Sequence, residues 1–230
     1  PQDTSEEFLR IQDEYLRETI REGGITDLAQ LKPLAAQGNG TFYLWQGDIT
    51  RLKVDAIVNA ANSAMTGCWQ PCHYCIDNCI HTFAGIRLRA ACDSIIKKQG
   101  HEEPTGQAKI TPAFNLPCKF VLHTVGPIAD GHPTQTDCDL LSSCYKSCLD
   151  LAHDKGLKSI AFCCISTGVF GFPQEEAAQI AAAAVKEWKE KNEKSGSSPN
   201  MTGTAGGMKV VFNVFTEKDE EIYRRLIFSR

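Results

Sequence analysis

Between residues 41 and 228, short apolar runs alternate with longer amphipathic stretches, and this alternation limits the fold more than any other feature. Phe42–Trp45, Asp55–Ala60, Phe120–Val125, Ser159–Ile165 and Lys209–Phe215 read as strands. Cys75–Lys98, Leu140–Lys155 (ended by Gly156), the Ala-rich Pro173–Lys191 and Lys218–Phe228 read as helices. Strands that alternate with helices predict an α/β chain whose sheet is largely parallel and covered on both faces. Residues 194–207, rich in Ser and Gly, are expected to form a flexible loop. There is no internal repeat.

The first 40 residues have a different texture. Phe8, Leu9, Ile11, Tyr15, Leu16 and Ile20 fall near a 3.6-residue period and predict a helix that Gly23-Gly24 stops. Thr26-Asp27 is expected to start a second, shorter helix through Leu31. This stretch is too poor in apolar residues to be a domain. Residues 1–40 are therefore read as a helical extension on a main domain spanning 41–230. A chain of 230 residues with 42% hydrophobic and 23% charged residues is ordinary for a globular protein and excludes intrinsic disorder. A net charge of −4 excludes a general nucleic-acid binder, so any anionic ligand must be held locally. Runs such as Ile160–Ile165 and Ile180–Val185 fall far short of the roughly 20 residues a bilayer span needs. Residues 1–10 are polar and acidic, unlike a secretory signal, and a start without Met reads as processed or trimmed. The expected compartment is the cytoplasm, and no coiled-coil pattern argues against a monomer.

Eleven cysteines are many for such a chain, and the number is odd. Cys68, Cys72, Cys75 and Cys79 crowd into one short segment with His73 and His81; Cys92, Cys118, Cys138, Cys144, Cys148, Cys163 and Cys164 are scattered. Scattered free cysteines behave as small buried hydrophobes. The cluster has the residue types of a metal site.

Ligands of open α/β sheets sit at the carboxyl ends of strands. Three segments qualify: Asn59-Ala60-Ala61-Asn62-Ser63, the Cys/His loop after it, and Ser166-Thr167-Gly168-Val169-Phe170-Gly171-Phe172-Pro173. The last leads from a strand into a helix, where glycines let successive amides approach an anion such as a diphosphate, unless it is a plain strand–helix turn. It has neither the P-loop Lys nor G-x-G-x-x-G spacing. Asn59 and Asn62 either face a polyhydroxylated ligand or satisfy loop backbone. Asp48 reads as a turn or helix cap, or as an acceptor for an exocyclic amine such as that of adenine.

Taken together, Gly47-Asp48-Ile49-Thr50, Val58-Asn59-Ala60-Ala61-Asn62-Ser63, Asp77 and His81 in Ile-Asp-Asn-Cys-Ile-His, Ala84-Gly85, His123-Thr124-Val125-Gly126-Pro127 and Ile165–Pro173 resemble, in order, the macrodomain family of ADP-ribose-binding folds. The resemblance covers about residues 41–228. It implies a three-layer α/β/α fold with a largely parallel mixed sheet. In one place the sequence departs from ordinary hydrolytic macrodomains: Gly67–Cys75 replaces their Gly-rich run. That loop, with the helical extension, is similar to the zinc-containing macrodomains of microbes, which remove mono-ADP-ribose from proteins and in several bacteria accompany a sirtuin-type ADP-ribosyltransferase.

The resemblance implies Zn2+ on Cys68, His73 and Cys75, and this set suits a three-ligand site with one open position. Cys72 is the credible fourth ligand of a closed structural site, and four cysteines (68, 72, 75 and 79) leave an iron–sulfur alternative open. By the same resemblance Asp77 is the catalytic acid residue, as general base or ribose orienter, against a simple helix cap. Asn62 holds the distal ribose and His81 supports, unless it is a core histidine. Amides of Ser166, Thr167, Gly168, Val169, Phe170, Gly171 and Phe172 cradle the diphosphate. Asp48 and the Ile49 amide read adenine, Asn59 lines the ligand and Phe215 the base. Phe170 covers the distal ribose, without the hydroxyl of the Tyr many such proteins carry there. The expected activity is zinc-dependent hydrolysis of the ester link between mono-ADP-ribose and acidic side chains. Its partners would be ADP-ribose and modified proteins, including targets of a sirtuin-type transferase. A non-catalytic ADP-ribose reader and an O-acetyl-ADP-ribose deacetylase are the alternatives; Asp77 speaks against the reader.

Overall fold

The computed structural model describes residues 4–34, 42–195 and 207–228. Thr41, the last residues of the 1–40 extension and most of the loop expected over 194–207 lie outside the described residues. The strands are β1 Thr26–Asp27, β2 Phe42–Gln46, β3 Leu52–Lys53, β4 Ala56–Ala61, β5 Ala108–Pro112, β6 Phe120–Val125, β7 Ser159–Phe162 and β8 Lys209–Val214. The helices are α1 Glu6–Glu22, α2 Ile76–Ala84, α3 Ile86–Gln99, α4 Gln135–Asp154, α5 Gln174–Ser195 and α6 Glu217–Phe228.

Six strands form one sheet in the order β2-β8-β7-β4-β6-β5, flanked by helices. All neighbours run parallel except β5, which pairs antiparallel with β6. The central strands are continuous apolar runs because both faces are covered: Ala56, Ile57, Val58, Val121, Leu122, Ile160 and Ala161 are all buried. The carboxyl ends of β4 and β7 lie side by side at the centre of the sheet, and the two loops of interest leave from there.

Some elements differ from the expectation. The stretch from Cys75 is not one helix. Gly85, at φ +90°, breaks it into α2 and α3. A Cβ there would come within 2.9 Å of Gln12 Oε1 and 3.2 Å of Leu16 Cδ1, so the break is where α1 packs. Gln12 Oε1 accepts from the Ile86 amide at 3.1 Å, Arg17 donates to Asn115, and Asp13 pairs with Arg87. Thr26-Asp27 is a two-residue strand beside β3, followed by a single 3-10 turn capped by Asp27, rather than a helix. β5 is a short edge strand ending in Pro112, a pattern too irregular to stand out in sequence. α4 starts five residues earlier than expected, at a capping box made by Thr134 and Asp137.

Candidate active site

The sheet delivers Asn59 and Asn62 by different routes. Asn59 is inside β4, fully buried, and directly opposite His123 on β6. Its amide nitrogen donates to Asp77 Oδ1 at 2.8 Å and lies 3.2 Å from His123 Nδ1. Its nitrogen is thus committed to the carboxylate and the histidine behind it, while its Oδ1 is buried without a hydrogen-bond partner. Asn62, beyond the strand end, donates to the Gly67 carbonyl at 3.0 Å and lies 3.5 Å from Asp77 Oδ2.

Asp77 is in the first turn of α2 but does not cap it. The cap is Cys75, whose sulfur accepts from the Asn78 amide at 3.4 Å. Burial raises the Asp77 carboxyl from the usual carboxylate range to about 6, against the downward pull of the Asn59 hydrogen bond and the Arg89 charge. His81, one turn on, places Nε2 3.5 Å from Asp77 Oδ1. Burial, aided by Arg89, pushes its pKa down to about 4, so the ring is neutral at pH 7. Arg89 on α3 also donates to the Thr66 carbonyl and lies over the Trp69 ring at 4.3 Å. Gly67, at φ +82°, lets the loop pass over these groups; a Cβ would meet His81 Cγ at 2.9 Å.

The Cys/His loop gathers some of its candidates and not others. The ligand atoms of Cys68, His73 and Cys75 all lie within 4.8 Å of one another, with Cys68 Sγ 3.3 Å from His73 Nδ1. Cys72 is exposed, and neither Cys72 nor Cys79 joins the group. Burial pushes the Cys75 thiol up, and the nearby Cys68 and Asp77 add to it. Two sulfurs and an imidazole nitrogen at this proximity make a donor set that suits a cation. A second group, His81, Cys92 and His123, is fully buried beneath the cleft and could also hold a metal ion by proximity.

The loop after β7 offers backbone instead of side chains. Phe172 N donates to the Ser166 carbonyl at 2.9 Å and Gly171 N to the Gly168 carbonyl at 3.0 Å, which closes the loop on itself. The Ala129 and Asp130 amides donate to the Phe170 carbonyl and the Gly131 amide to that of Gly171, tying the loop to the segment after β6. The amides of Gly171 and Phe172 are thus already used, whereas those from Ser166 to Phe170 make no backbone bond among the described residues. Ser166 adopts φ +65° and its hydroxyl is buried without a partner. Within the segment 166–172, expected to cradle an anion, the first five amides are those not spent on backbone bonds.

At the far rim, Asp48 caps a 3-10 turn: Oδ1 accepts from the Thr50 amide at 3.0 Å and hydroxyl at 2.6 Å. Ile49 is buried. The Phe215 ring is 64% exposed and lies 6.4 Å from that of Tyr74 in the Cys/His loop.

The Macro domain family matches residues 58–181, which is more than half of the chain. The chain belongs to the Macro domain family. It is 65% identical over 227 residues to a protein-ADP-ribose hydrolase of Treponema medium, covering 99% of this chain and 82% of that protein. It is 50% identical over 221 residues to a protein-ADP-ribose hydrolase of Staphylococcus aureus strain MRSA252, covering 96% of this chain and 77% of that protein. A Trypanosoma brucei macrodomain solved in complex with ADP-ribose superposes with a TM-score of 0.74 at 30% identity, covering 98% of this chain and 91% of that one.

Three residues of this macro domain's site went unnoticed by sequence reasoning alone. Arg89 looks like one more charge on an amphipathic helix, and only the break at Gly85 turns it towards Asp77 and His81. Thr111, whose hydroxyl lies 2.9 Å from His123 Nε2, is on the unrecognised edge strand β5. Trp69 carried no signal beyond its place in the loop.

Proposed function

We propose that this macro domain is a hydrolase that releases ADP-ribose from ADP-ribosylated proteins. The observation that carries the reading is Asp77: a nearly buried carboxylate, anchored by Asn59 on one oxygen and facing Asn62 with the other, at the strand end where such sheets bind ligands. The identities to named protein-ADP-ribose hydrolases, at 65% and 50%, support it.

In this reading the diphosphate rests on the amides between Ser166 and Phe170, with Phe170 over the distal ribose. Adenine lies towards Asp48, the Ile49 amide and Phe215. Asn62, whose Oδ1 is buried without a partner, accepts from a hydroxyl of the distal ribose. A pKa of about 6 leaves Asp77 mostly ionised at neutral pH and still basic enough to take a proton. It removes one from the water that attacks the anomeric carbon; the water oxygen bonds to that carbon as the bond to the protein oxygen breaks. Neutral His81 packs beside the carboxylate and adds no charge. For mono-ADP-ribose on an acidic side chain the leaving group is a carboxylate, which departs without an acid.

Cys68, His73 and Cys75 fit zinc in residue type and proximity, and zinc bound there would orient and polarise an oxygen ligand. We favour this group over the buried one because both nitrogens of His123 already face Asn59 and Thr111. α1 acts as a brace, holding the α2–α3 break that aims Asp77 and Arg89. Eleven free cysteines fit a reducing compartment such as the cytoplasm. No helix among the described residues is long and apolar enough to cross a membrane.

The test is release of ADP-ribose from a protein modified on an acidic residue, using enzyme as purified and enzyme stripped by a strong chelator. Metal content and ADP-ribose affinity are measured on both. Release is expected to fall at least about 10-fold on stripping, while affinity stays within about 3-fold. Equal release from demonstrably metal-free protein makes the metal structural and leaves the chemistry to Asp77. Binding without release in either form identifies a reader and overturns the proposal.

A further inference from the structure

Behind the site, three neighbouring strands carry a line of buried polar side chains, of which the mechanism above uses only Asn59. Thr111 on β5, His123 on β6 and Asn59 on β4 are at most 2% exposed and lead to Asp77. The Thr111 hydroxyl is 2.9 Å from His123 Nε2, His123 Nδ1 is 3.2 Å from Asn59 Nδ2, and Asn59 Nδ2 is 2.8 Å from Asp77 Oδ1. Hydrogen-bond chemistry fixes how this line is read. The Asn59 nitrogen carries two hydrogens and no acceptor lone pair. It gives one hydrogen to the carboxylate and the other to His123 Nδ1. Nδ1 must therefore be the acceptor of a neutral ring, and the ring proton is on Nε2, donated to the Thr111 hydroxyl.

We propose that His123 is a positioning residue for Asp77, acting through the Asn59 carboxamide. It deepens the hydrolase reading and rests on Asp77 carrying the chemistry. The carboxamide could turn over about its χ2 bond. Turned, its oxygen would face both a carboxylate oxygen and an imidazole lone pair, two repulsive contacts in a water-poor interior. His123 thus locks the amide in one orientation, and the amide holds Asp77 Oδ1. The other oxygen, Oδ2, is left towards Asn62 and the ligand. The lock is mounted on the sheet, since Asn59 and His123 are register partners on paired strands. It is independent of the Cys/His loop.

The experiment compares His123→Leu, His123→Asn and Thr111→Val with the unmodified protein. It reads kcat and KM for ADP-ribose release, ADP-ribose affinity, Tm and metal content. His123→Leu is expected to lower kcat about 10- to 100-fold, the range typical of outer-shell partners, with KM and ADP-ribose affinity within about 3-fold. His123→Asn puts an acceptor oxygen where Nδ1 was and is expected to recover most of that loss. Thr111→Val removes the nearer acceptor for the Nε2 proton and leaves only the weaker Cys92 Sγ at 3.7 Å, which shifts the ring towards the tautomer whose Nδ1–H opposes Asn59; kcat should fall several-fold.

Full kcat in His123→Leu, or His123→Asn as slow as His123→Leu at an unchanged Tm, overturns the proposal. If His123→Leu does not fold, Thr111→Val and His123→Asn decide it. Unchanged kcat in Thr111→Val, or a large loss in His123→Asn with intact Tm, then overturns it. Loss of metal in His123→Asn would make His123 a ligand instead. Asp77→Ala is run alongside: release that survives in that variant refutes the hydrolase reading itself, which separates the two failures.

Discussion

At the carboxyl end of β7 the protein presents peptide groups. The amides of Ser166 to Phe170 go to no backbone carbonyl among the described residues, and Gly171 and Phe172 spend theirs on shaping the turn. At the carboxyl end of the adjacent β4 it presents side chains: Asn62, Asp77, His81 and the Cys68–His73–Cys75 group. The first loop depends on backbone angles and on glycine, and only one of its side chains, Ser166, has a conformation that ordinary residues avoid. The second depends on groups brought from α2, α3 and β6. Backbone amides bind an anion equally well in ground and transition state, which favours affinity. A buried carboxylate whose protonation can change favours turnover. Neighbouring loops on one sheet can thus divide binding from chemistry.

Asp77→Ala should break the chemical half alone and has the largest expected effect. Release of ADP-ribose is expected to fall about 10²- to 10⁴-fold, the usual contribution of a general base. ADP-ribose affinity by calorimetry should stay within about 3-fold. A loss of both together would mean that the two loops do not divide the work.

Two glycine variants sharpen the binding half. A Cβ on Gly168 meets nothing within 4 Å, so Gly168→Val should keep its Tm while a ligand over the loop is crowded. Affinity is expected to weaken about 10-fold, roughly 1.4 kcal/mol. Gly171 has φ +64° and a Cβ would lie 3.2 Å from Asp130 Cα. Gly171→Val should therefore lower Tm as well, with strain of about 1–3 kcal/mol. Equal Tm values for the two variants would contradict this assignment of roles.

The last expected effect is in the pH dependence of stability, and it belongs to the side-chain half. Burial lowers His81 to about 4 and His123 to about 3, below the 6.5 of an unfolded histidine. Below pH 6.5 the unfolded chain takes up protons that the native rings refuse, so this stability is present above 6.5 and is lost as pH falls towards 4 and 3. Asp77 works in the opposite direction. Its native value of about 6 exceeds the unfolded 3.8, so the native state gains a proton first between those values and offsets part of the loss. Denaturant titrations at pH 7, 6, 5 and 4 should show a net decrease. Asp77→Asn should steepen it between pH 6 and 4; an unchanged slope would mean that the carboxyl is not raised.

The parts that could be read from sequence share a property. β4, β6, β7 and β8 are apolar runs whose burial on both faces needs no knowledge of their neighbours. Cys68, His73 and Cys75 are close in the chain, so a short loop suffices to gather them. The misread parts depended on something distant. Cys75–Lys98 looks continuous because the reason for the break at Gly85 is a helix some 70 residues earlier, whose Gln12 bonds the Ile86 amide. β5 is too short and polar to be recognised before β6 offers it an edge. Nothing near Asn59 in sequence reveals that His123, 64 residues on, lies against its carboxamide.

The sequence by itself determined the layered α/β architecture, the strand ends where a ligand would rest and the chemistry available in each loop. These follow from periodicity, from glycine's freedom and from donor types at short spacing. Only the tertiary structure decided which of the paired asparagines faces outwards, which end of the amide touches Asp77, and which of the eleven cysteines come together. Those outcomes depend on strand register and on where burial makes an unpaired polar group too costly, and both exist only once β4, β6 and α2 have packed.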